Sequence, residues 1–336
     1  MTTPLFRILS IDGGGMRGIL PGQILVTLEE ILQQLSGDPD ARIADFFDLI
    51  AGTSTGGILA CLYLTPGPNG QTPMYSAQQA VDLYLTHGGE VFATSVWHSL
   101  KAAGGWCDER YSDDGLNGLL ERYSGALRLN DLLKPCLITA YDTVRRRAHF
   151  FKQYAAQMHS DRDFPVWAVA RATSAAPTFF EAAHVKALDG TRFSLIDGGI
   201  FANNPALCAY AEARTMGDKP TASRMAILSI GTGEKLSSYP FRRIKNWGKI
   251  EWAVPVLDMM MSGVSETVDY QLRQIYDAVG KPDQYLRIQP ELGNASPDMD
   301  NASRRNVIAL EEAGRHAAET YRAELERFAG KLVESG

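Results

Sequence analysis

Residues Ser10–Gly22 read SIDGGGMRGILPG, and this stretch decides how the fold begins. An apolar β-type run, Leu5–Ile11, leads into Asp12 and three consecutive glycines, and an apolar helical stripe follows. A strand, a glycine turn and a helix in this order predict the opening unit of an α/β fold whose turn can hold an anion. Residues Gly13–Gly18 also satisfy the G-x-G-x-x-G spacing of dinucleotide-binding proteins.

The dinucleotide interpretation of this turn fails two tests. An acidic residue about 20 positions further on should end a second strand, where it would bind the ribose. The window Gln33–Asp40 instead has the pattern of a helix end and a loop. Asp12 also opens the turn, and its charge would oppose a pyrophosphate. We therefore expect the glycine turn to hold a different anion.

Composition excludes several classes of protein. The 336 residues are 45% hydrophobic and 21% charged, which is ordinary for a globular chain. The net charge of −6 provides no basic field, so we expect no nucleic acid polymer as a partner. The chain shows no signal-peptide pattern and no apolar run of membrane-spanning length, which predicts a cytoplasmic protein. No metal spacing links the cysteines, which we expect to be reduced core residues: Cys61, Cys107, Cys136 and Cys208.

Short apolar runs closed by glycine or turn residues recur along the chain and predict strands. They are Leu5–Ile11, Phe46–Ala51, Pro135–Tyr141, Phe193–Ile196 and Met225–Ile230. Near-continuous apolar strands are typical of a sheet covered on both faces, so we predict one α/β domain with insertions. Helical stripes lie at Ile24–Leu35, after Ser54 and at Val307–Leu332, the last being an amphipathic C-terminal helix expected to dock on the body.

A second glycine turn, Gly52-Thr53-Ser54-Thr55-Gly56, fits G-x-S-x-G between an apolar run and an apolar helix. This context is typical of a nucleophile elbow, in which the two glycines permit a sharp turn. The positive end of the following helix would stabilise negative charge that develops beside Ser54. The alternative is that Ser54 only caps the helix.

A serine hydroxyl needs a base, and the histidines do not supply a convincing one. None lies in a glycine-flanked loop at a strand end, and His184 is the least unfavourable. Asp197 is a better candidate, because it ends an apolar run and precedes Gly198 and Gly199 at the kind of strand end where α/β sheets place their active sites. Such a base is weak at its usual pKa, and two things could compensate: partial burial that raises the pKa, and a strong oxyanion hole that provides most of the stabilisation. The alternative is that Asp197 is only a turn residue.

Three motifs in one order resemble the patatin-like phospholipase family: Asp12–Gly18, Gly52–Gly56 and Asp197–Gly199. Ser174–Phe180 and Gly231–Gly233 are also similar to that family, and the resemblance covers roughly residues 5–235. It implies a three-layer α/β/α sandwich with a mostly parallel central sheet. The expected catalytic domain spans 5–290 and includes a cap or lipid-contact segment at 240–280, with a helix at 301–333 docked on it.

The same resemblance implies roles for individual residues. Ser54 would be the nucleophile and Asp197 the general base of a lipid acyl hydrolase that needs neither a cofactor nor a metal. Arg17 would support the glycine turn, together with Gly18, or hold a substrate phosphate. The oxyanion hole would consist of backbone N–H groups of Gly13, Gly14 and Gly15.

Residues Phe241–Trp252 mix cations with aromatic side chains, and Val254–Met261 ends in three methionines. Three consecutive helical side chains cannot all face one core, so we expect at least one to be exposed. Basic residues with tryptophan suit an anionic membrane surface, which predicts peripheral contact with the inner face of the membrane. The alternative is a core helix with a solvated basic lead-in.

A second resemblance concerns regulation. The opening Ile11–Gly15, the hairpin Ala140–Tyr154 and the short helical C-terminus resemble bacterial patatin-like effectors of antiphage (CBASS) defence. This implies activation by a cyclic dinucleotide and a ligand-driven homo-oligomer, but it assigns no residue to the nucleotide. Within the hairpin, Arg145–Arg147 is predicted to be a solvated tip, and the alternative is an anion site for a headgroup or a nucleotide.

Two other functions stay open at this stage. One is a constitutive esterase that acts on soluble or lipid esters, and the other is a catalytically silent lipid-binding module. The intact Ser54, Asp197 and glycine turn favour an enzyme.

Overall fold

The computed structural model describes residues 4–87, 114–234 and 239–335. An eight-stranded mixed sheet forms its centre, in the order β5-β6-β3-β2-β1-β7-β8, and β4 pairs with β3 along nearly its whole length. The strands are β1 (Phe6–Ile11), β2 (Leu49–Thr53), β3 (Cys136–Asp142), β4 (Arg147–Lys152), β5 (Ala183–Lys186), β6 (Arg192–Asp197), β7 (Met225–Ile230) and β8 (Tyr285–Ile288).

Strand β1 lies at the middle of a parallel core. It pairs in parallel with β2, where Ile11 lies opposite Gly52, and with β7, where Ile11 lies opposite Ile230. Strands β3 and β8 extend this parallel set on either side. Because parallel strands end at one edge of the sheet, the turns that follow Ile11 and Thr53 are neighbours.

Helices cover both faces of the sheet. They are α1 (Ile19–Ser36), α2 (Thr55–Leu64), α3 (described over 77–87), α4 (Asp114–Ser124), α5 (Gln153–Met158), α6 (Val166–Thr173), α7 (Gly199–Ala202), α8 (Ala206–Ala213), α9 (Phe241–Ile244), α10 (Lys249–Ala278), α11 (Arg304–Thr320) and α12 (Arg322–Glu334). None of them, within the described ranges, is both long and apolar enough to cross a lipid bilayer.

Alternation along β1 divides the apolar side chains between two cores. Leu9 and Ile11 pack in the larger core with α1, α2, α6, α11 and α12. Ile8 faces the opposite side, in a smaller core that includes Ala209 of α8 and Leu272 of α10. The sheet is therefore buried on both faces between two helical layers, which confirms the predicted three-layer α/β/α sandwich with a mostly parallel sheet.

The C-terminal region consists of two helices rather than one continuous helix. Helices α11 and α12 are divided at Tyr321, and both pack against α1. The apolar spacing continues across this interruption, since Leu310 before it and Leu325 after it are both fully buried. Periodicity alone therefore cannot reveal the break.

Three cysteines are free thiols within the described ranges. Cys61 and Cys136 are buried and Cys208 is half-buried, whereas Cys107 lies outside the described residues. No group of three His, Cys, Asp or Glu side chains among the described residues could hold a metal ion.

Candidate active site

Ser54 occupies a strained turn between β2 and α2. Its φ of 54° and ψ of −122° are unusual for a residue with a side chain, and strain of this kind is typical of nucleophile elbows. The Ser54 N–H donates to Thr173 Oγ1 at 2.9 Å, but its side chain makes no capping hydrogen bond to α2. The alternative that Ser54 serves only as a helix cap is therefore wrong.

The two glycines of the elbow are needed because backbone passes close to both. A Cβ on Gly52 would collide with the carbonyl of Gly56, and a Cβ on Gly56 would collide with the carbonyl of Ile11. The elbow thus packs directly against the end of β1, and this contact holds Ser54 beside the first glycine turn.

The first glycine turn presents two free backbone donors. The Gly13 N–H donates to the carbonyl of Asn203 at 3.1 Å and is therefore already engaged. The N–H groups of Gly14 and Gly15 have no acceptor within the described part of the chain, and both residues line the same pocket as Ser54. Gly15 has a φ of 58°, and a Cβ on Gly14 would collide with the side chain of Thr232.

Arg17 supports this turn from behind. Its Nε donates to the Gly14 carbonyl at 3.4 Å and its Nη1 to the Gly233 carbonyl at 3.3 Å, so the guanidinium links the turn to the end of β7. Arg17 does not line the pocket that contains Ser54. A Cβ on the adjacent Gly18 would collide with Thr55, so the turn can approach α2 this closely only because residue 18 is a glycine. The geometry favours turn support over contact with a substrate phosphate.

Asp12 is paired, which the sequence did not reveal. Arg287 on β8 donates to its two carboxylate oxygens at 2.8 and 2.6 Å, and both side chains are buried. Bidentate pairing of this kind neutralises a buried carboxylate. The argument that an uncompensated Asp12 charge opposes an anion at this turn was therefore wrong.

Asp197 reaches the site from a strand that runs against the parallel core. Strand β6 is antiparallel to β3, and Asp197 lies opposite Ala140, one residue beyond the Thr139 that pairs with Thr53. A Cβ on Gly198 would collide with Thr139, so only glycine permits this approach. Because of this register, the C-terminal end of β6 lies beside the point where β2 ends, at the C-terminal edge of the parallel strands.

The Asp197 carboxylate is buried and accepts a backbone hydrogen bond. Its Oδ1 accepts a hydrogen bond from the Gly199 N–H at 2.7 Å. Burial raises the pKa of Asp197 to about 7, and hydrogen bonds from the Gly199 N–H and the Ser54 hydroxyl partly offset that rise. Ser54 and Asp197 therefore lie close together, and the Asp197 carboxylate is a stronger base than an exposed aspartate.

Within the described residues, which do not include His98, the histidines do not provide a better base. His184 is exposed on β5 and does not line the pocket. His149 is packed among Phe151, Phe164 and Phe193, and burial lowers its pKa to about 4. His87 lines the pocket, and its ring is hydrogen-bonded to the Tyr123 hydroxyl at 2.9 Å.

Beside the pair lies a pocket of about 130 Å³. Ser54, Asp197, Gly14 and Gly15 all line it. The rest of its wall is mainly apolar and includes Ile58, Leu62, Leu83, Leu120, Phe179, Phe180, Ile200, Met260 and Met261. Such a pocket can accept an apolar chain with its reactive carbonyl group beside Ser54.

The family model of patatin-like phospholipases matches residues 9–210, which include the glycine turn, the elbow and the aspartate motif. This chain belongs to the patatin-like phospholipase family. Membership supports lipid hydrolase activity in general terms, without establishing the catalytic residues or the ester position.

Relatives extend this likeness along most of the chain. Patatin-like protein 2 of rice (Oryza sativa subsp. indica) is 33% identical, covering 92% of this chain and 83% of that protein. A potato (Solanum tuberosum) relative named "Probable inactive patatin-3-Kuras 1" is 30% identical, covering 98% and 93%. The crystal structure of VipD from Legionella pneumophila is 11% identical, with a TM-score of 0.36 over 95% of this chain and 67% of VipD, and supports no argument about this site. Since one relative is named as inactive, membership alone does not establish turnover.

Proposed function

We propose that this protein is a serine hydrolase of the phospholipase A type, which cleaves carboxylic acyl esters of membrane phospholipids with a Ser54–Asp197 dyad. One observation carries the proposal: Ser54 and the buried Asp197 line the same apolar pocket as Gly14 and Gly15, whose N–H groups have no acceptor within the described residues. Nucleophile, base, oxyanion donors and acyl pocket thus occur together.

The first half of the reaction transfers the acyl group to the enzyme. Asp197 takes the Ser54 proton as Oγ attacks the ester carbonyl, and the Gly14 and Gly15 N–H groups hold the resulting oxyanion. The protonated Asp197 then donates to the oxygen of the leaving lipid alcohol as the bond between carbon and oxygen breaks. A carboxylate with a pKa near 7 suits both steps at neutral pH.

Hydrolysis of the acyl-enzyme completes the cycle. Water attacks the acyl carbonyl and gives a proton to Asp197, and the collapse of the second intermediate returns that proton to Ser54 as the fatty acid leaves. An ester suits this dyad better than an amide, because an alkoxide leaves more readily than an amine.

The membrane-contact proposal is supported by the N-terminal half of α10 and by α9. Phe241 is 75% exposed and Met260 is 44% exposed, and Met260 also lines the wall of the apolar pocket. Arg242 and Lys245 are exposed on the same segment. Exposed apolar side chains and cations on one segment, with Met260 at the pocket, suit an anionic lipid surface.

The C-terminal half of the same helix has a different environment. Leu272 and Tyr276 are fully buried in the smaller core. The two interpretations of residues 240–280 therefore apply to different parts of the segment: α10 is a core helix at its end and a candidate lipid contact at its beginning.

Control by a cyclic dinucleotide, with a ligand-driven homo-oligomer, stays a prediction that rests on resemblance. At the hairpin tip, Arg145 is paired with Asp142 at 2.7 Å and its guanidinium lies 4.5 Å from the centre of the Phe193 ring. Arg145–Arg147 are exposed, as predicted for a solvated tip, and Arg145 also contacts its neighbours there. We assign no nucleotide site.

Fatty-acid release from anionic phospholipid vesicles tests the dyad. We expect Ser54→Ala to lower the rate by about 10³-fold or more, because the acyl acceptor is lost. Ser174→Ala is the matched control, since Ser174 lines the same pocket but donates to the Ala170 carbonyl, and it should retain activity. Equal release by wild type and Ser54→Ala would overturn the proposal.

The same assay separates the other functions. Faster turnover of soluble esters than of vesicles would favour a general esterase, and vesicle binding without release by the wild type would favour a silent module. A panel of cyclic dinucleotides tests the effector hypothesis, and activity that none of them changes would contradict it.

A further inference from the structure

The turn that carries Asp197 is tied to the rest of the site by its backbone. We call this segment, Asp197–Asn203, the aspartate turn, and it includes α7. The Asp197 N–H donates to the Ala175 carbonyl at 3.0 Å, and the Asn203 carbonyl accepts a bond from the Gly13 N–H at 3.1 Å. One end of the aspartate turn is thus held just beyond α6 and the other at the glycine turn.

A buried side chain makes a third tie, and it comes from the nucleophile elbow. Thr53, the last residue of β2, directly precedes Ser54 and is fully buried. Its hydroxyl donates to the Ala202 carbonyl in the aspartate turn at 2.6 Å. The residue before the proposed nucleophile is therefore bonded to the segment that carries the proposed base.

Thr139 on β3 completes this contact. It is the register partner of Thr53, it is fully buried, and the two hydroxyl oxygens are 2.7 Å apart. The single hydrogen of the Thr53 hydroxyl is used on the Ala202 carbonyl, so Thr139 must be the donor to Thr53. Thr139 also packs against Gly198, where a Cβ would collide with its side chain. A chain of hydrogen bonds thus leads from β3 through Thr53 to the aspartate turn.

The short distances show that this position needs a hydroxyl. The Thr53 oxygen lies 2.6 Å from the Ala202 oxygen and 2.7 Å from the Thr139 oxygen. A methyl group stays about 3.5 Å from its neighbours, so Thr53→Val, with nearly the same shape, would push the aspartate turn away by up to about 1 Å. Catalytic groups must be held within about 0.5 Å of their productive positions, and a misplacement of about 1 Å can lower a rate by about 10²-fold.

We propose that Thr53 is a positioning residue of the Ser54–Asp197 dyad, because its hydroxyl, bonded to Thr139 and Ala202, sets the distance between nucleophile and base. The inference rests on the proposed function. Thr53 does not line the pocket, so it acts through the elbow and the aspartate turn rather than on the substrate. The Ser54 backbone is held separately by its bond to Thr173, which leaves the link to the aspartate turn to Thr53.

Steady-state hydrolysis of a p-nitrophenyl fatty-acid ester tests this role. We expect Thr53→Val to lower kcat and kcat/KM together by at least about tenfold with KM within about twofold, because a displaced dyad weakens the transition state and not substrate binding. Thr53→Ser keeps the hydroxyl and should retain kcat within about threefold of the wild type. A hydroxyl that only stabilised the fold would leave the kcat of the folded protein unchanged in every variant.

Thr65→Val is the matched control. Thr65 is also buried, its hydroxyl donates to the Cys61 carbonyl at 2.8 Å, and it does not line the pocket. We expect this variant to lose stability, measured by urea unfolding, and to keep kcat within about twofold of the wild type. If Thr53→Val does not fold, Thr53→Ala, which adds no bulk, replaces it and should lower kcat at least about fivefold at unchanged KM.

The outcomes separate this inference from the proposed function. If Ser54→Ala hydrolyses the ester as fast as the wild type, the dyad itself is refuted. If Ser54→Ala is inactive while the folded Thr53→Val or Thr53→Ala protein keeps kcat within about twofold, only the positioning role is overturned. An equal fall of kcat in Thr53→Ser or in Thr65→Val would likewise overturn it, because the loss would then not depend on the hydroxyl of Thr53.

Discussion

Replacing Asp197 by asparagine should abolish acyl hydrolysis and yet stabilise the fold at neutral pH. Asparagine keeps the shape of the side chain and the acceptor for the Gly199 N–H, which lies 2.7 Å from Asp197 Oδ1. It removes a carboxylate whose charged form is disfavoured by burial, which raises its pKa from 3.8 to about 7. Sites tuned for chemistry in this way commonly reduce stability.

The size and the sign of the effect follow from proton linkage. Below pH 3.8 Asp197 is protonated in both the folded and the unfolded chain, so it does not lower wild-type stability there. The variant is then no more stable than the wild type. Between pH 3.8 and about 7 only the folded chain keeps the proton, so wild-type stability falls as the pH rises. Above about 7 the loss is complete and, at 1.36 kcal/mol per pH unit, amounts to at most about 4 kcal/mol.

Urea unfolding followed by circular dichroism from pH 4 to pH 8 measures this difference. The free energy of unfolding of Asp197→Asn minus that of the wild type should be near zero at pH 4 and should grow to a plateau above pH 7. Asp40→Asn, which removes an exposed carboxylate, controls for the change in net charge. A difference that is the same at pH 4 and pH 8 would refute the idea that Asp197 is held neutral in the fold.

Three further predictions concern the same site. In the wild type, kcat/KM should rise about tenfold per pH unit up to about 7 and then level off, because the base must be ionised; a flat pH profile would contradict this. Gly14→Ala should lower kcat by about 10²–10³-fold in vesicle assays by displacing an oxyanion donor, whereas Gly330→Ala, in open space, should have no effect. Arg287→Ala should cost about 3–5 kcal/mol in urea unfolding, since it leaves Asp12 buried and unpaired; a loss under 1 kcal/mol would refute that role.

The sequence predicts those strands that are buried most evenly. Strands β1, β2 and β7 contain long apolar runs because helices cover both of their faces, and this pattern is visible without a structure. The sequence does not predict strands β5 and β8. Each has only four residues, and half of the side chains in each are not buried, so neither forms a continuous apolar run. Because sequence patterns do not predict β8, they do not single out Arg287 on that strand either.

The site is predictable where local backbone geometry dictates the residue type. Ser54 and Asp197 are visible because glycines beside them are required for close approach, and glycine patterns survive in the sequence. Arg287 contacts Asp12 across 275 residues and has no local signal. Asn203 follows the aspartate motif closely, but only the folded arrangement shows that its Oδ1 is buried without a hydrogen-bond partner among the described residues.

A nucleotide pyrophosphate is unsuited to the glycine turn, but the charge of Asp12 is not the reason. Because Arg287 neutralises Asp12, that carboxylate does not itself repel an anion. The pocket in front of Gly14 and Gly15 is the deciding feature: no lysine or arginine lines it in the described chain, and most of its wall is apolar. A permanent, multiply charged group would be desolvated there without a counter-charge, at great cost. An oxyanion that forms on a neutral ester and disappears within one step needs only the two N–H groups, so the turn is suited to a charge that exists during the reaction alone.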